Sequence, residues 1–275
     1  MRSLNVTTVF AASTLVLLAC ADTQPPAPAI RVDGSPGVLP LVQALAGAYT
    51  GSDAATVTLA SGLGSSARAA AVEDSTIDIA MASHGIDTAD LSRRGLVAHE
   101  IARTAVVFAV NAGVNLPGLT RSQVCDIIAG RAANWNRFRA GNVPIVPLMR
   151  PATEVDAEVA LAHVSCLRGL QHGGRVQLIE RPDSMASALA ATPGAFGVTS
   201  ATMVEQSQGR IRALSLDGVT PSRENVQSQA YPLLRSSYLI ARADPGAAVA
   251  RFLEFVRDTA GARIIAANGA VPVTR

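Results

Sequence analysis

Short runs of apolar and β-branched residues alternate along this chain with segments in which apolar residues recur every three or four positions. The first pattern predicts strands, and the second predicts amphipathic helices. Their alternation from Ile30 onward is typical of parallel sheets covered by helices, an α/β fold. The predicted strands are Ile30–Asp33, Thr56–Ala60, Ile77–Ala82, Thr104–Asn111, Val143–Met149, Val176–Ile179, Ala195–Val198 and Tyr238–Ala241.

Capping residues predict where several helices begin. Ser35 is predicted to cap the first helix, with Pro36 in its first position. A second helix is predicted to start near Ser65. Thr120 stands three residues before Gln123, which is the spacing of a capping box, and the stretch from residue 153 to 156 could open another helix in a similar way.

Size and composition exclude several classes of protein. A chain of 275 residues can form one large or two modest domains, and a composition of 49% hydrophobic and 16% charged residues predicts a packed core. The net charge is only +2, without the dense basic stripe that nucleic-acid binding requires. The four histidines lack metal-ligand spacing, and no nucleophile elbow or Walker loop is present. We therefore expect no catalytic residue, metal or cofactor.

The N-terminus resembles that of a bacterial lipoprotein. Arg2 is followed by an apolar run that is too short to span a bilayer and is typical of a secretory signal peptide. The segment Leu17–Cys20 resembles a lipobox, which implies cleavage before Cys20 and a lipid on this cysteine. Residues 1–19 are then the signal peptide, and residues 20–29 are a proline-rich tether to the membrane, outside the cytoplasm. In the alternative reading, Cys20 is an ordinary residue of the apolar run.

Cys125 and Cys166 remain as an even pair. In an extracytoplasmic compartment such a pair favours a disulfide. The alternative is a thiol pair for a soft metal or metalloid, although no histidine or third thiol completes a metal signature.

Three segments, at residues 32–37, 59–66 and 147–153, place small, hydroxyl or arginine residues between a strand and a helix N-terminus. Helix N-termini offer unpaired N–H groups and a partial positive charge, so anions bind there. Hydroxyls add donors, and Arg150 can contact two oxygens of one anion. Each segment alone is explained equally well by simple helix capping.

Eight segments in order resemble the phosphate-binding proteins of ABC transporters, a family of type II periplasmic binding proteins. They cover nearly the whole mature chain, at residues 34–40, 62–66, 78–83, 106–111, 119–135, 193–198, 231–233, and 252–255 with 268–273. The resemblance implies a monomer of two α/β lobes, each with a mainly parallel sheet flanked by helices. Two crossing strands, near Val106–Asn111 and Tyr238–Ala241, would join lobe 1 (30–108 with 238–275) to lobe 2 (109–237), and a hinge would close the cleft.

The resemblance also implies a ligand site and partners. The ligand would be a small phosphate-like oxyanion, which the protein would deliver to an ABC permease in the membrane. Ser35 matches the hydroxyl of the family's first loop, Ser65 that of the second loop, and Ser83 the serine that ends the third strand. The complete set of expected ligand residues is Ser35, Gly37, Gly64, Ser65, Ser83, His84, Arg150 and Thr153.

Three departures from the family pattern concern this site. Pro36 lacks an N–H that would normally line the pocket. His84 stands where many relatives carry Arg or Asp, and it could bind an anion when protonated or merely cap a strand end. The Gly-Ser-Gly-Thr turn expected after Arg150 is replaced by residues 151–156, in which only Thr153 keeps a hydroxyl.

Glu154 and Asp156 bring negative charge to the same place. They could simply complement the dipole of a helix start, or a carboxylate could accept a hydrogen bond from a protonated oxyanion and so favour hydrogen phosphate over sulfate. Two functions therefore stay open: an oxyanion receptor for an importer, with arsenate, molybdate or an organic phosphate as other ligands, and a sensor or interaction protein whose pocket is altered.

Overall fold

The structure is a computed structural model of the 275-residue chain, and it describes residues 29–49, 55–83, 86–168 and 176–273. The predicted signal peptide, nearly all of the tether, the lipidation residue Cys20 and the candidate ligand residue His84 lie outside the described residues. Within the described ranges, no helix combines the length and the apolar character that crossing a bilayer would need.

A sheet of ten strands forms the centre of the molecule, and two further short strands pair with each other beside it. The order through the main sheet is β2-β1-β3-β11-β4-β8-β6-β7, with β9 and β12 each paired to β4. The strands are β1 Ala29–Gly34, β2 Thr56–Leu59, β3 Ile79–Ala82, β4 Leu96–Asn111, β5 Gly118–Leu119, β6 Val146–Met149, β7 Gln177–Leu178, β8 Ala195–Ser200, β9 Ile211–Ala213, β10 Ser215–Leu216, β11 Leu234–Arg242 and β12 Ala270–Pro272.

Helices follow most of the strands and cover the sheet. They are α1 Leu39–Ala48, α2 Arg68–Glu73, α3 Thr88–Arg93, α4 Arg121–Ile128, α5 Val155–His163, α6 Pro182–Ala191, α7 Ala201–Gln206, α8 Arg223–Gln227, α9 Ala247–Arg257 and α10 Thr259–Ala267, with short 3-10 helices at Trp135–Phe138 and Ser165–Leu167.

The long strand β4 divides the sheet into two parts. Its residues 96–105 pair with β11, and its residues 106–110 pair with β8. We call β1, β2, β3, β11, β12 and the first part of β4 the first half-sheet, and β6 to β9 with the rest of β4 the second half-sheet. Within these halves β1 pairs in parallel with β2 and β3, and β6 pairs in parallel with β7 and β8. The mainly parallel α/β architecture expected from the sequence is therefore confirmed.

Each half-sheet has its own apolar core. The first is packed around Ile30, Leu45, Met81 and Phe252, and the second around Phe108, Trp135, Phe196 and Tyr231. Trp135 is fully buried, and its indole nitrogen donates to the Gly194 carbonyl at 2.9 Å. The core therefore buries this large side chain without leaving its N–H unpaired.

The two central antiparallel strands are longer than predicted. β4 begins at Leu96 rather than Thr104, and β11 begins at Leu234 rather than Tyr238. In both extra segments polar side chains interrupt the apolar run, as where Arg103 pairs with Glu100 at 3.0 Å. The length of each strand is set by its antiparallel pairing with the other. Strands paired in this way need not be continuous apolar runs, so the sequence does not show their full length. The chain thus enters the first half-sheet at Leu234, before the expected boundary at 238.

Helix starts were predicted with mixed success. The capping box is confirmed, since the Thr120 hydroxyl accepts from the Gln123 N–H at 3.2 Å and the Thr120 N–H donates to the Gln123 side chain at 2.8 Å. Ser35 does not cap α1. Residues 35–38 form a turn in which the Ser35 carbonyl accepts from two N–H groups, and the helix begins only at Leu39. The start expected near Ser65 also lies later, at Arg68.

A disulfide connects Cys125 in α4 to Cys166 in the 3-10 helix that follows α5, with 6.1 Å between their Cα atoms. The disulfide expected from the cysteine count is thus present. It closes a loop with a sequence separation of 41 residues, which includes the candidate ligand residues Arg150 and Thr153.

Replacing both cysteines by serine should lower the free energy of unfolding by about 2–4 kcal/mol, because the cross-link restricts the unfolded chain. Urea titration followed by circular dichroism measures this loss. Reduction of the native protein is the matched control and should shift the urea midpoint equally. An unchanged midpoint in both experiments would contradict a stabilising role for the bridge.

Candidate functional site

The loops that follow β1 and β3 meet at one edge of the first half-sheet. The two strands are parallel neighbours, so their carboxyl ends lie together, and the Ser35 and Ser83 hydroxyls are 3.1 Å apart. Both residues are buried. Gly34 makes this approach possible, because its φ is +137° and a Cβ there would lie 2.2 Å from the Met81 carbonyl oxygen. Two of the expected ligand residues are therefore adjacent.

Asp33 holds the second loop beside the first. Its carboxylate accepts hydrogen bonds from the backbone N–H groups of Gly62 at 2.7 Å and Leu63 at 3.2 Å, and from that of Gly34 at 2.6 Å. A carboxylate that accepts several N–H bonds fixes the loops that donate them. This positioning role was not predicted from the sequence, although an acidic residue at a strand end next to a glycine loop is a signal for it.

Ser65 and Gly64 differ in burial from Ser35 and Ser83. Both are exposed, and a Cβ on Gly64 would meet no atom within 4 Å. Ser65 lines a separate cavity with Arg68, on the side of the first half-sheet covered by α2 and α3. The structure shows no hydrogen bond between Ser65 and Ser35, Ser83 or Arg150 in the residues it describes.

Arg150 follows the last residue of β6 and is 3% exposed. Its Nη2 donates to the Glu154 carboxylate at 2.6 Å. Its Nε and Nη1 are buried and have no hydrogen-bond partner within the described residues. Buried donors without partners are costly, so these two N–H groups define a place where an acceptor would be stabilised.

The helix start after Arg150 differs from the expected one. Thr153 is exposed, and α5 begins at Val155 with Glu154 as its N-cap residue, without a side-chain cap. The stretch 153–156 thus opens a helix as expected, but Glu154 rather than Thr153 is at the N-cap. Glu154 turns its carboxylate to Arg150 instead, and Asp156 turns its carboxylate to Arg235. Each of the two acidic residues is thus paired with an arginine rather than only facing the helix dipole.

Arg235, on β11, connects the two half-sheets. Its Nε donates to the Asp156 carboxylate at 2.8 Å, and its Nη2 donates to the Gly37 carbonyl at 2.6 Å. Both charged side chains are almost completely buried, at 3% and 4% exposure. Arg235 was not predicted from the sequence as a site residue. Its one signal is an arginine between the apolar pair Leu233–Leu234 and the pair Ser236–Ser237.

Gly37 lies against α5. A Cβ on Gly37 would be 2.7 Å from Val155 Cγ1, 3.7 Å from the Ser35 hydroxyl and 3.8 Å from Arg235 Cζ. Only a residue without a side chain lets the two parts of the chain approach so closely. The branched side chain of Val155 therefore packs directly on the backbone of Gly37.

A cavity of about 470 Å³ opens beside this contact, between α5 and β11. Ser83, Val155, Arg235 and His163 are among the residues that line it. Burial lowers the pKa of His163, and the positive charges of Arg121 and Arg168 lower it further. The imidazole is therefore neutral at pH 7. Across the described ranges, no group of three or more His, Cys, Asp or Glu residues could hold a metal ion.

Known proteins match most of this chain. A family model described as a PBP superfamily domain matches residues 21–259. The phosphate-binding protein PstS of Bacillus subtilis (strain 168) is 24% identical over 252 residues, which cover 89% of this chain and 81% of that protein.

Solved structures of similar fold cover the chain equally well. One from Clostridium perfringens, which contains bound phosphate, has a TM-score of 0.71 at 23% identity, covering 90% of this chain and 100% of that one. An ABC-type phosphate transport receptor from Vibrio cholerae has a TM-score of 0.60 at 21% identity, covering 88% of this chain and 99% of that one. At this identity the likeness concerns the fold.

The buried pair of Arg235 and Asp156 yields a prediction about stability. Asp156→Ala should lower the free energy of unfolding by about 3–5 kcal/mol, because it leaves the Arg235 guanidinium buried without its counter-charge. Arg131→Ala is the matched control, since Arg131 pairs with Asp126 while 59% exposed, and it should cost about 0–1 kcal/mol. Chemical denaturation of both variants measures the difference. Equal losses of unfolding free energy in the two variants would show that the buried pair contributes no more to stability than an exposed pair.

Proposed function

Because the chain belongs to the PBP superfamily, we propose that it is an extracytoplasmic solute-binding protein that captures phosphate for an ABC importer. It binds the anion in the cleft between the half-sheets and delivers it to a membrane permease without performing chemistry on it. The two unpartnered donors of buried Arg150 are the observation that carries this proposal. The Nε–H and Nη1–H groups point to different sides of the guanidinium, because each parallel pair of arginine donors includes Nη2, so each can give an anion oxygen its own charge-assisted hydrogen bond.

The other groups around the cleft suit the same ligand. Ser35 and Ser83 supply hydroxyls at the end of two parallel strands, the edge at which α/β proteins bind ligands. Hydroxyls both donate and accept, so they serve a phosphate that carries a proton. The named relative from Bacillus subtilis is a phosphate-binding protein, and the Clostridium perfringens structure contains phosphate, which supports this ligand.

We assign each half-sheet with its helices to one lobe. The first lobe comprises residues from about 30 to 105 and from 234 onward, and the second comprises the segment between them, close to the division at 108 and 238 expected from the sequence. The chain crosses between the lobes in β4 and just before β11. Hinge motion at these two crossings opens the cleft to a ligand and closes it again.

Glu154 acts as an internal competitor of the ligand. Its carboxylate takes one nitrogen of Arg150, so an incoming phosphate contacts the other two nitrogens next to an existing negative charge. Repulsion between the two favours a phosphate that is singly charged or protonated. This occupied arginine is also the observation that favours the second candidate function, a sensor or interaction protein whose pocket binds no oxyanion.

Calorimetric titration of phosphate distinguishes these functions. We expect Arg150→Ala to weaken phosphate binding at least about 100-fold, because two charge-assisted hydrogen bonds are lost. Glu154→Gln should strengthen binding several-fold, since glutamine keeps the shape and the hydrogen bond to Arg150 but removes the repulsion. Arg131→Ala, at an exposed position, controls for the loss of one positive charge.

Sulfate, which carries no proton at neutral pH, completes the experiment. If Glu154 is a competitor, Glu154→Gln strengthens both phosphate and sulfate binding. Loss of the preference for phosphate in this variant would instead show that the carboxylate accepts a hydrogen bond from a protonated ligand. A native protein that binds neither anion would leave only the sensor function.

We also propose that residues 1–19 are a signal peptide and that a lipid on Cys20 tethers the protein outside the cytoplasm. The proposal rests on the sequence Leu17–Cys20, which resembles a lipobox, and on the proline-rich segment after it. Expression with a labelled fatty acid in a bacterial host tests it. Cys20→Ala should abolish the label and release the protein from the membrane fraction, whereas a label that persists would contradict attachment at Cys20.

A further inference from the structure

Arg68 is the first residue of α2, and it lies outside the cleft described above. It is 6% exposed, its Nε is buried without a partner, and its guanidinium makes no hydrogen bond or ion pair with any residue that the structure describes. Burial lowers its pKa from the ordinary value of an arginine. A buried cation without a counter-charge is costly to the folded protein.

The Arg68 side chain lines a cavity of about 210 Å³ between α2, α3 and β11. The other arginine of this cavity, Arg94, is already paired, since it donates to the Glu73 carboxylate at 2.6 Å and lies 3.7 Å from that of Asp90. Asp90 in turn accepts from Arg93 at 3.1 Å. Of the two arginines of this cavity, Arg68 is therefore the one that has no ion-pair partner among the described residues.

The remaining walls of the cavity restrict its ligand. Leu91, Ile86 and Ile240 form an apolar part, and the Ser66 side chain stands at the polar part beside Arg68. The volume is below the roughly 300–1,000 Å³ of sites for drug-sized ligands, so the ligand is small. Asp87 and Asp90 also line the cavity, and their charges repel a dianion more strongly than a monoanion.

We propose that this cavity is a second ligand site, which binds a short-chain monocarboxylate. The Arg68 guanidinium binds the carboxylate through paired N–H groups, the geometry in which arginine and carboxylate match best. The hydrocarbon chain of the ligand lies against Leu91 and Ile240. The site is separate from the phosphate site, because Arg68 lies on α2, beside the first half-sheet, whereas Arg150 follows β6 of the second half-sheet.

Titration of acetate, propionate and butyrate into the purified full chain, followed by calorimetry, tests the proposal. Affinity should rise about three- to fourfold for each added methylene, the gain expected from burying that group against the apolar wall. Arg68→Met should weaken butyrate binding at least about tenfold, because the charge-assisted hydrogen bonds are lost. Arg251→Met, at an exposed position on α9, is the matched control and should bind butyrate like the native protein.

Stability distinguishes a ligand site from a structural arginine. Methionine fills the same volume without a charge, so Arg68→Met should melt at the same temperature as the native protein or higher, and butyrate should raise the melting temperature of the native protein alone. If this variant does not fold, Arg68→Lys serves instead, and its butyrate affinity should fall because lysine lacks the paired donors.

The Arg150→Ala variant distinguishes butyrate binding at this site from binding at the phosphate site. Butyrate binding that survives in this variant supports the second site even if the protein binds no phosphate. The proposal is overturned if Arg68→Met binds butyrate as tightly as the native protein, if affinity does not depend on chain length, or if phosphate displaces butyrate from the Arg150→Ala variant at equal concentration.

Discussion

The guanidinium of Arg235 joins three parts of the chain that surround the cleft. It lies on β11, donates to Asp156 at the start of α5, and donates to the Gly37 carbonyl in the loop after β1. Because Arg235 and Asp156 are both buried, neither can leave the other without exposing an uncompensated charge to a low-dielectric interior. The position of α5 follows from this bridge. Glu154 is the residue directly before α5, so its position follows from that of the helix. Its contact with Arg150 follows in turn.

This arrangement changes the groups that an anion would contact after Arg150. A glycine turn after Arg150 would present backbone N–H groups to an anion, whereas here Val155 packs on Gly37 and two carboxylates pair with two arginines. The cleft is thus nearly neutral before an anion enters. If the cleft binds an anion as we propose, selectivity depends on the hydroxyls of Ser35 and Ser83 and on the two nitrogens of Arg150 that have no partner within the described residues. These groups distinguish ligands by their protons as well as their charge.

The sequence predicts those features that depend on residues close together along the chain. The Thr120 capping box spans three positions, β1 alternates buried apolar with exposed residues, and β8 begins with the apolar run 195–198, so local patterns suffice for them. The pairing of Arg235 with Asp156 and with Gly37 joins residues separated by 79 and 198 positions, and no local pattern indicates it. Ser35 failed as a helix cap for the same reason, because its hydroxyl lies beside Ser83, 48 positions away.

The contacts across the cleft also bear on the choice between capture and sensing. A ligand shifts an equilibrium between two conformations only by the difference in its affinity for them. The bridge from Arg235 to Gly37 and the packing of Val155 on Gly37 are made by protein groups, and they hold α5 against the loop after β1 without using any of the ligand's binding energy. A protein so biased binds its ligand more tightly, because less of the binding energy is spent on closure, but changes shape less when it does so. That combination suits a receptor that captures an anion better than a sensor that must report its presence through closure.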